Sequence, residues 1–334
     1  MKSTLLRATC ASVVLLACAT QASAAEKVRL IIFQSASALA SYVAEDQGIF
    51  KKHGLDVSIK PTPNSTYMMT NLIDGKYDIA SSAFDNFIAY NEGQTKHKTR
   101  NKSDLVVFMG ATTQNLPIIV SPDIKTLADL KGQAVGVDAP NTAFAFVLYK
   151  ILEKNGLKMS DYKIVAVGGT TKRWAAMQDG SVKAAVISGA YATQAQAKGF
   201  KRMADSQKAL GVYQGSSLGA QRDWLQKNRN TAVAFVRANM EALHWAADKK
   251  NHAAAAKSLQ TRIKGMSDKA ALSTVARVTQ GKPGGLTLDG KINEEGLKQV
   301  IALREQYGTP KKKIADPSRF IDMTILADAM KAKK

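Results

Sequence analysis

Only a few positions in this 334-residue chain carry side chains suited to chemistry at a spacing that could use them. His53, His97, His244 and His252 form no ligand pattern with a cysteine or carboxylate, so no metal site is expected. The run Gly168-Gly169-Thr170-Thr171-Lys172 lacks the earlier glycine and the spacing of a phosphate-cradling loop, and no nucleophile, base and orienting group recur together. Neither catalysis nor a cofactor is expected. What remains suits binding. Asn141 and Thr142 stand just before an apolar helix, whose first N–H groups would meet a carboxylate, sulfonate or nitrate oxygen. Arg173 offers a planar fork for an anion, or is a surface arginine one turn into its helix. Ser35 is either a ligand donor or a helix cap.

These residues are positioned by strands alternating with helices. Leu55, Val57 and Ile59 alternate with Asp56, Ser58 and Lys60 in strand period, and Pro61 with Pro63 ends the run. The helix before it is expected to stop near Lys52, ahead of Gly54. Further strands are expected at 28–33, 78–81, 105–109, 116–120, 134–137, 163–167 and 184–187, with apolar helical faces between them, as at Met68, Met69, Leu72 and Ile73. That order implies an α/β fold with largely parallel sheets covered on both faces. Polar residues gather at the strand ends, including Asn115, Ser188 and Tyr191.

Residues 1–24 read as a leader rather than as part of the fold. Lys2 and Arg7 flank an apolar stretch from Ala8 to Ala19, too short to span a bilayer, and Ala22-Ser23-Ala24 is a small-x-small cleavage pattern. Leu15-Leu16-Ala17-Cys18 leaves a second route open, with Cys18 lipidated. Both cysteines, Cys10 and Cys18, fall in this leader, so cleavage after Ala24 leaves no thiol. The chain beyond Ala24 exceeds the size at which one core keeps growing, so two lobes are expected. The formal charge of +20 favours anionic solutes or acidic surfaces at most through association rate, and basic values also serve solubility alone. Lys96, Lys98, Arg100 and Lys102 have no interleaved aromatic, so the cluster reads as a solvated loop and no nucleic-acid partner is expected.

Two segments carry a family resemblance. Gly48-Ile49-Phe50 followed by His53-Gly54-Leu55-Asp56-Val57, then Gly75-Lys76-Tyr77-Asp78-Ile79-Ala80, resembles the N-terminal half of periplasmic solute-binding proteins of the nitrate, sulfonate and taurine type. Val165 to Tyr191, with Gly168-Gly169, Arg173, Ala176-Met177, Asp179-Gly180 and Ala184 to Ile187, is similar to a later unit of the same proteins. The resemblance implies a type II periplasmic binding fold of two lobes joined by two crossover strands, with residues 25–115 and 206–334 in lobe 1 and 116–205 in lobe 2. It implies a monomeric periplasmic receptor that closes on a small molecule and delivers it to an inner-membrane ABC permease with its cytoplasmic ATPase. The ligand contacts it implies are Ser82, Phe84, Asp85, Asn141, Thr142, Thr170, Arg173, Ser188 and Tyr191, and Ser35, after the first strand, and Asn115, near the first crossover, are expected beside them from their positions. Each has a plainer reading: a helix-end charge for Asp85, a turn role for Asn115, interlobe contact for Tyr191. The ligand leans to an organic anion, although Phe84, Asp85 and Tyr191 would also suit an aromatic or amine-bearing solute. Two alternatives stay open: a superfamily enzyme of the thiamine-pyrimidine-synthase type, against which the cysteine-free remainder argues, and a solute sensor docking on a membrane receptor.

Overall fold

The computed structural model describes residues 25–95 and 97–331; the expected leader and Lys96 of the basic loop lie outside them. Twelve strands are described: β1 Glu26–Ile32, β2 Leu55–Pro61, β3 Ile79–Ala83, β4 Leu105–Gly110, β5 Thr113–Gln114, β6 Pro117–Val120, β7 Ala134–Val137, β8 Lys163–Ala166, β9 Ala184–Val186, β10 Lys201–Asp205, β11 Tyr213–Gln214 and β12 Ser216–Gln221. They form one five-stranded sheet in the order β2-β1-β3-β12-β4 and a second in the order β10-β6-β9-β7-β8. The chain is α/β, as its alternating periods predict.

The sheets are less parallel than expected. β1 pairs in parallel with β2 and β3, and β7 with β8 and β9. β12 runs antiparallel to β3 and β4, and β6 antiparallel to β9 and β10. The cause is connectivity: a helical crossover within one sheet imposes parallel strands, whereas β6 and β12 each arrive from the other sheet. The two segments that pass between the sheets pair with each other through β5 and β11, Tyr213 opposite Gln114 and Gln214 opposite Thr113.

The helix expected to end near Lys52 comes in two pieces, Leu39–Asp46 and Ile49–Lys52. Gly48 separates them at φ 67°, a left-handed turn that other residues rarely adopt. Beyond β12 the chain is helical. The helix Arg229–Ala247 packs on Leu39–Asp46, and Glu294–Tyr307 lies against β11 with the helices Phe84–Asn91 and Ala143–Lys154 on its flanks. One buried apolar cluster therefore runs from Ile31 and Phe87 at the first sheet through Tyr213 and Leu303 to Val135 and Val186 at the second. β1, β2, β3, β7, β8 and β9 all send their C-terminal ends toward one cavity between the sheets.

Candidate functional site

The cavity has a volume of about 380 Å³. From the side of the first sheet it is lined by Phe33, Ser35, Thr62, Ser65, Asn86, Ser216, Thr274 and their neighbours, with Gln114 of the crossing segment beside them. No charged residue is in that wall among the described residues. From the second sheet come Asp138, Thr142, Phe144, Thr170, Lys172, Arg173, Ser188 and Tyr191. The two walls approach at one rim, where a β-carbon placed on Gly169 would stand 3.9 Å from the Pro63 carbonyl oxygen.

Four helices begin at residues that line this cavity: Phe84–Asn91 after Ala83, Ala143–Lys154 after Thr142, Thr170–Gln178 after Gly169 and Ala190–Ala197 after Gly189. None of the four has a side-chain cap. Alanine and glycine at three of these positions have no oxygen to offer the first N–H groups; the Gly215 carbonyl takes the Phe84 N–H at 3.1 Å, and the helices after Gly169 and Gly189 keep their first donors and the positive end of the helix dipole for another partner. Gly189 sits at φ 63°, ψ −143°, a backbone essentially reserved for glycine. Thr142 has the right chemistry for a cap but uses its hydroxyl elsewhere, on Asp138 Oδ1 at 2.5 Å, with the Ala139 carbonyl at 2.9 Å. By contrast, Asn64 caps the helix Ser65–Ile73 by accepting from the Tyr67 N–H.

Arg173 anchors the charged wall. Its side chain is 2% exposed. Nε donates to the Val186 carbonyl at 3.0 Å, Nη1 to the Gly168 carbonyl at 2.8 Å and Nη2 to Thr170 Oγ1 at 3.0 Å. These partners are neutral acceptors, and two of the five guanidinium N–H donors remain unassigned. Burial lowers its pKa and the Asp138 charge partly opposes this, so the guanidinium is a desolvated cation whose counter-charge is near but not in contact. The Phe144 ring centroid is 6.0 Å from its Cζ. Sequence reading left open a surface arginine at this position; the side chain turns inward instead.

Of the residues expected at the ligand, Ser35, Thr142, Thr170, Arg173, Ser188 and Tyr191 line the cavity. Five others do not. Asp85 is buried and gives both carboxylate oxygens to Arg304, with Nε to Oδ1 at 2.7 Å. Asn141 accepts from the Thr309 N–H at 3.1 Å and Arg304 Nη1 at 3.3 Å, and donates to the carbonyls of Gln94 at 2.7 Å and Thr309 at 3.0 Å. Its amide is fully used, so nothing remains for a ligand. Phe84 is core, Asn115 accepts from the Gln207 N–H on the crossing segment, and Ser82 accepts from Asn86 Nδ2 at 2.9 Å. Ser82 thus orients Asn86, which does line the cavity.

Sequence reasoning missed Phe33, Asn86, Gln114, Asp138, Phe144 and Lys172, all within a few residues of strand ends it had identified. It also missed Ile263, Met266 and Thr274, brought in by the C-terminal helical region with no local signal. Among the described residues no group of three or more His, Cys, Asp or Glu could hold a metal ion, and no helix is long and apolar enough to cross a membrane.

A family model described as NMT1/THI5 like matches residues 36–253. None of the curated proteins compared with the chain matches it. Among solved structures, a protein from Bordetella bronchiseptica RB50 is 23% identical with a TM-score of 0.76, covering 91% of this chain and 96% of that one. The periplasmic aliphatic sulphonate binding protein SsuA from Escherichia coli is 22% identical, TM-score 0.64, over 84% of this chain and 90% of its own. The periplasmic nitrate-binding protein NrtA from Synechocystis PCC 6803 is 14% identical, TM-score 0.71, over 91% and 88%. At such identities the likeness is one of fold, and that fold is the two-lobed periplasmic binding protein fold.

Proposed function

Because the chain belongs to the NMT1/THI5-like family, matched over more than half its length, we propose that it is a periplasmic receptor that captures a small organic anion between its two lobes and delivers it to an ABC permease. The observation that carries this is the convergence of four uncapped helix N-termini and the desolvated Arg173 on one cavity. Helix ends offer oriented N–H donors, and a buried guanidinium without a contacting carboxylate has electrostatic capacity that an incoming anion would meet. Sulphonate binding by the Escherichia coli protein and nitrate binding by the Synechocystis protein are both oxyanion recognition, in keeping with this reading. The lobes closing about the paired segments β5 and β11 would enclose the ligand and present the closed form to the permease.

The receptor makes no chemical change. The thiamine-pyrimidine-synthase reading requires a cysteine-rich motif, and the two cysteines of this chain are Cys10 and Cys18. A thermal-shift screen of protein unfolded and refolded to strip carried-over ligand, against sulfonates, carboxylates, nitrate, amines and pyrimidines, tests the reading. A ligand at a hundred times its Kd stabilises by about 2.7 kcal/mol, and each kcal/mol raises Tm by roughly 2–4 °C in a domain of this size. Stabilisation by anions is the expected outcome; stabilisation by amines alone, or turnover of the stabilising compound, would overturn it.

A further inference from the structure

We propose that the ligand is an organic acid with an uncharged aromatic body rather than an inorganic or short aliphatic oxyanion. The inference rests on the receptor reading and names the class of solute it takes. Volume is the first argument. At about 30 Å³ for each water, 380 Å³ holds roughly a dozen water molecules, far more than nitrate or methanesulfonate would displace. A tiny ligand would leave most of the lining without contacts, forfeiting the dispersion and burial that make a small-molecule site tight.

The rings are the second argument. Several aromatic side chains in the interior pair with one another, as Phe50 with Phe235 and Phe146 with Tyr149. Phe33, Phe144 and Tyr191 instead stand half-buried at the cavity, Phe33 on one wall and the other two on the facing wall. Phe144 is also the ring nearest the Arg173 guanidinium, which places an acid head and the start of a planar body side by side. Charge is the third. Asp138, Lys172 and Arg173 all belong to the second-sheet wall, so the end of the ligand that meets Phe33, Ile263 and Met266 would be neutral.

Titration calorimetry on the refolded protein with naphthalene-2-sulfonate, methanesulfonate, nitrate and the neutral naphthalene-2-sulfonamide tests this. The aromatic sulfonate should bind at least about tenfold more tightly than methanesulfonate, and the sulfonamide should lose at least about tenfold against it. Phe144→Leu keeps the apolar bulk but removes the ring; it should weaken naphthalene-2-sulfonate by roughly two- to tenfold, the range of an aromatic contact, and weaken methanesulfonate by a smaller factor. Methanesulfonate or nitrate binding as tightly as the aromatic acid would overturn the inference while the anion-receptor reading stood. Equal binding of the sulfonamide would overturn the acid head, and no binding by any of the four would count against both.

Discussion

Two arginines are buried among the described residues, and their surroundings differ in one respect that separates architecture from recognition. Arg304 is 0% exposed and meets its charge internally: Asp85 takes Nε and Nη2, Asn141 takes the remaining reach through Oδ1 and its carbonyl, and the Phe146 ring lies 4.5 Å from Cζ. Arg173 is equally hidden from solvent but is held by two carbonyls and a hydroxyl, with Asp138 acting only at a distance. The first joins the helices Phe84–Asn91 and Glu294–Tyr307 to the Asn141 turn after β7, outside the cavity lining. The second faces the cavity. A buried charge that is fully paired stabilises one arrangement of the chain, while one held only by neutral groups retains the capacity to take an anion from outside.

The sharpest break of this comparison is Arg304→Met. Removing one partner of a buried ion pair typically costs about 3–5 kcal/mol because the other charge is stranded, so the urea midpoint should fall steeply. Asp85→Asn in the same background should recover part of the loss. A single variant as stable as the parent would mean that Asp85 reaches solvent, and the assigned contrast would fail. Arg173→Gln should reverse the pattern. Stranding the Gly168 and Val186 carbonyls costs stability of about 1–3 kcal/mol, whereas anion affinity should drop by about 2–5 kcal/mol, as for truncating one partner of a desolvated charge pair. Calorimetry beside urea unfolding separates the two, and retained affinity would remove Arg173 from recognition.

Asp138 sharpens the comparison further because it has a predicted sign. It lies near enough to act on Arg173 and accepts from Thr142 Oγ1, a bond that asparagine can also accept. Asp138→Asn removes a negative charge from the wall proposed to receive the anion, so affinity should rise by about 1 kcal/mol, a modest fraction of a close-pair interaction at an effective dielectric near 20. Weaker binding instead would show that the solute carries a cationic group toward Asp138, making it a zwitterion.

The contrast between the arginines also marks how far the sequence could be read. Strand-period runs and the glycines and prolines that end them locate the βα units, and hence the ring of strand ends around the cavity. What a linear pattern does not carry is which way a side chain turns at the first helical residues. Successive positions rotate by about 100°, so of Asp85 and Asn86 in one turn only the second meets the cavity. Nor does it carry distant partners. Asp85 and Asn141 looked available because Arg304, which occupies both, stands far along the chain on a helix that returns to pack between the lobes. Asn141 and Thr142 are adjacent and equally suited to capping, yet one is consumed by Gln94, Thr309 and Arg304 and the other is spent on Asp138.

Lys172 provides the mildest test, since it carries the same charge as Arg173 in the neighbouring position but stands exposed at the cavity rim. An exposed cation acts through a screened field, so Lys172→Gln should slow association of an anionic ligand by roughly two- to threefold at low salt and leave dissociation nearly unchanged. Raising the ionic strength to about 0.5 M, where the screening length is only a few ångströms, should abolish the difference. The Arg173 effect should persist there, because a group shielded from solvent is not screened by ions in it. Stopped-flow rates at two salt concentrations decide the matter: a salt-independent loss at Lys172, expressed in dissociation, would place it in direct contact with the ligand and make the two neighbouring cations parts of one clamp.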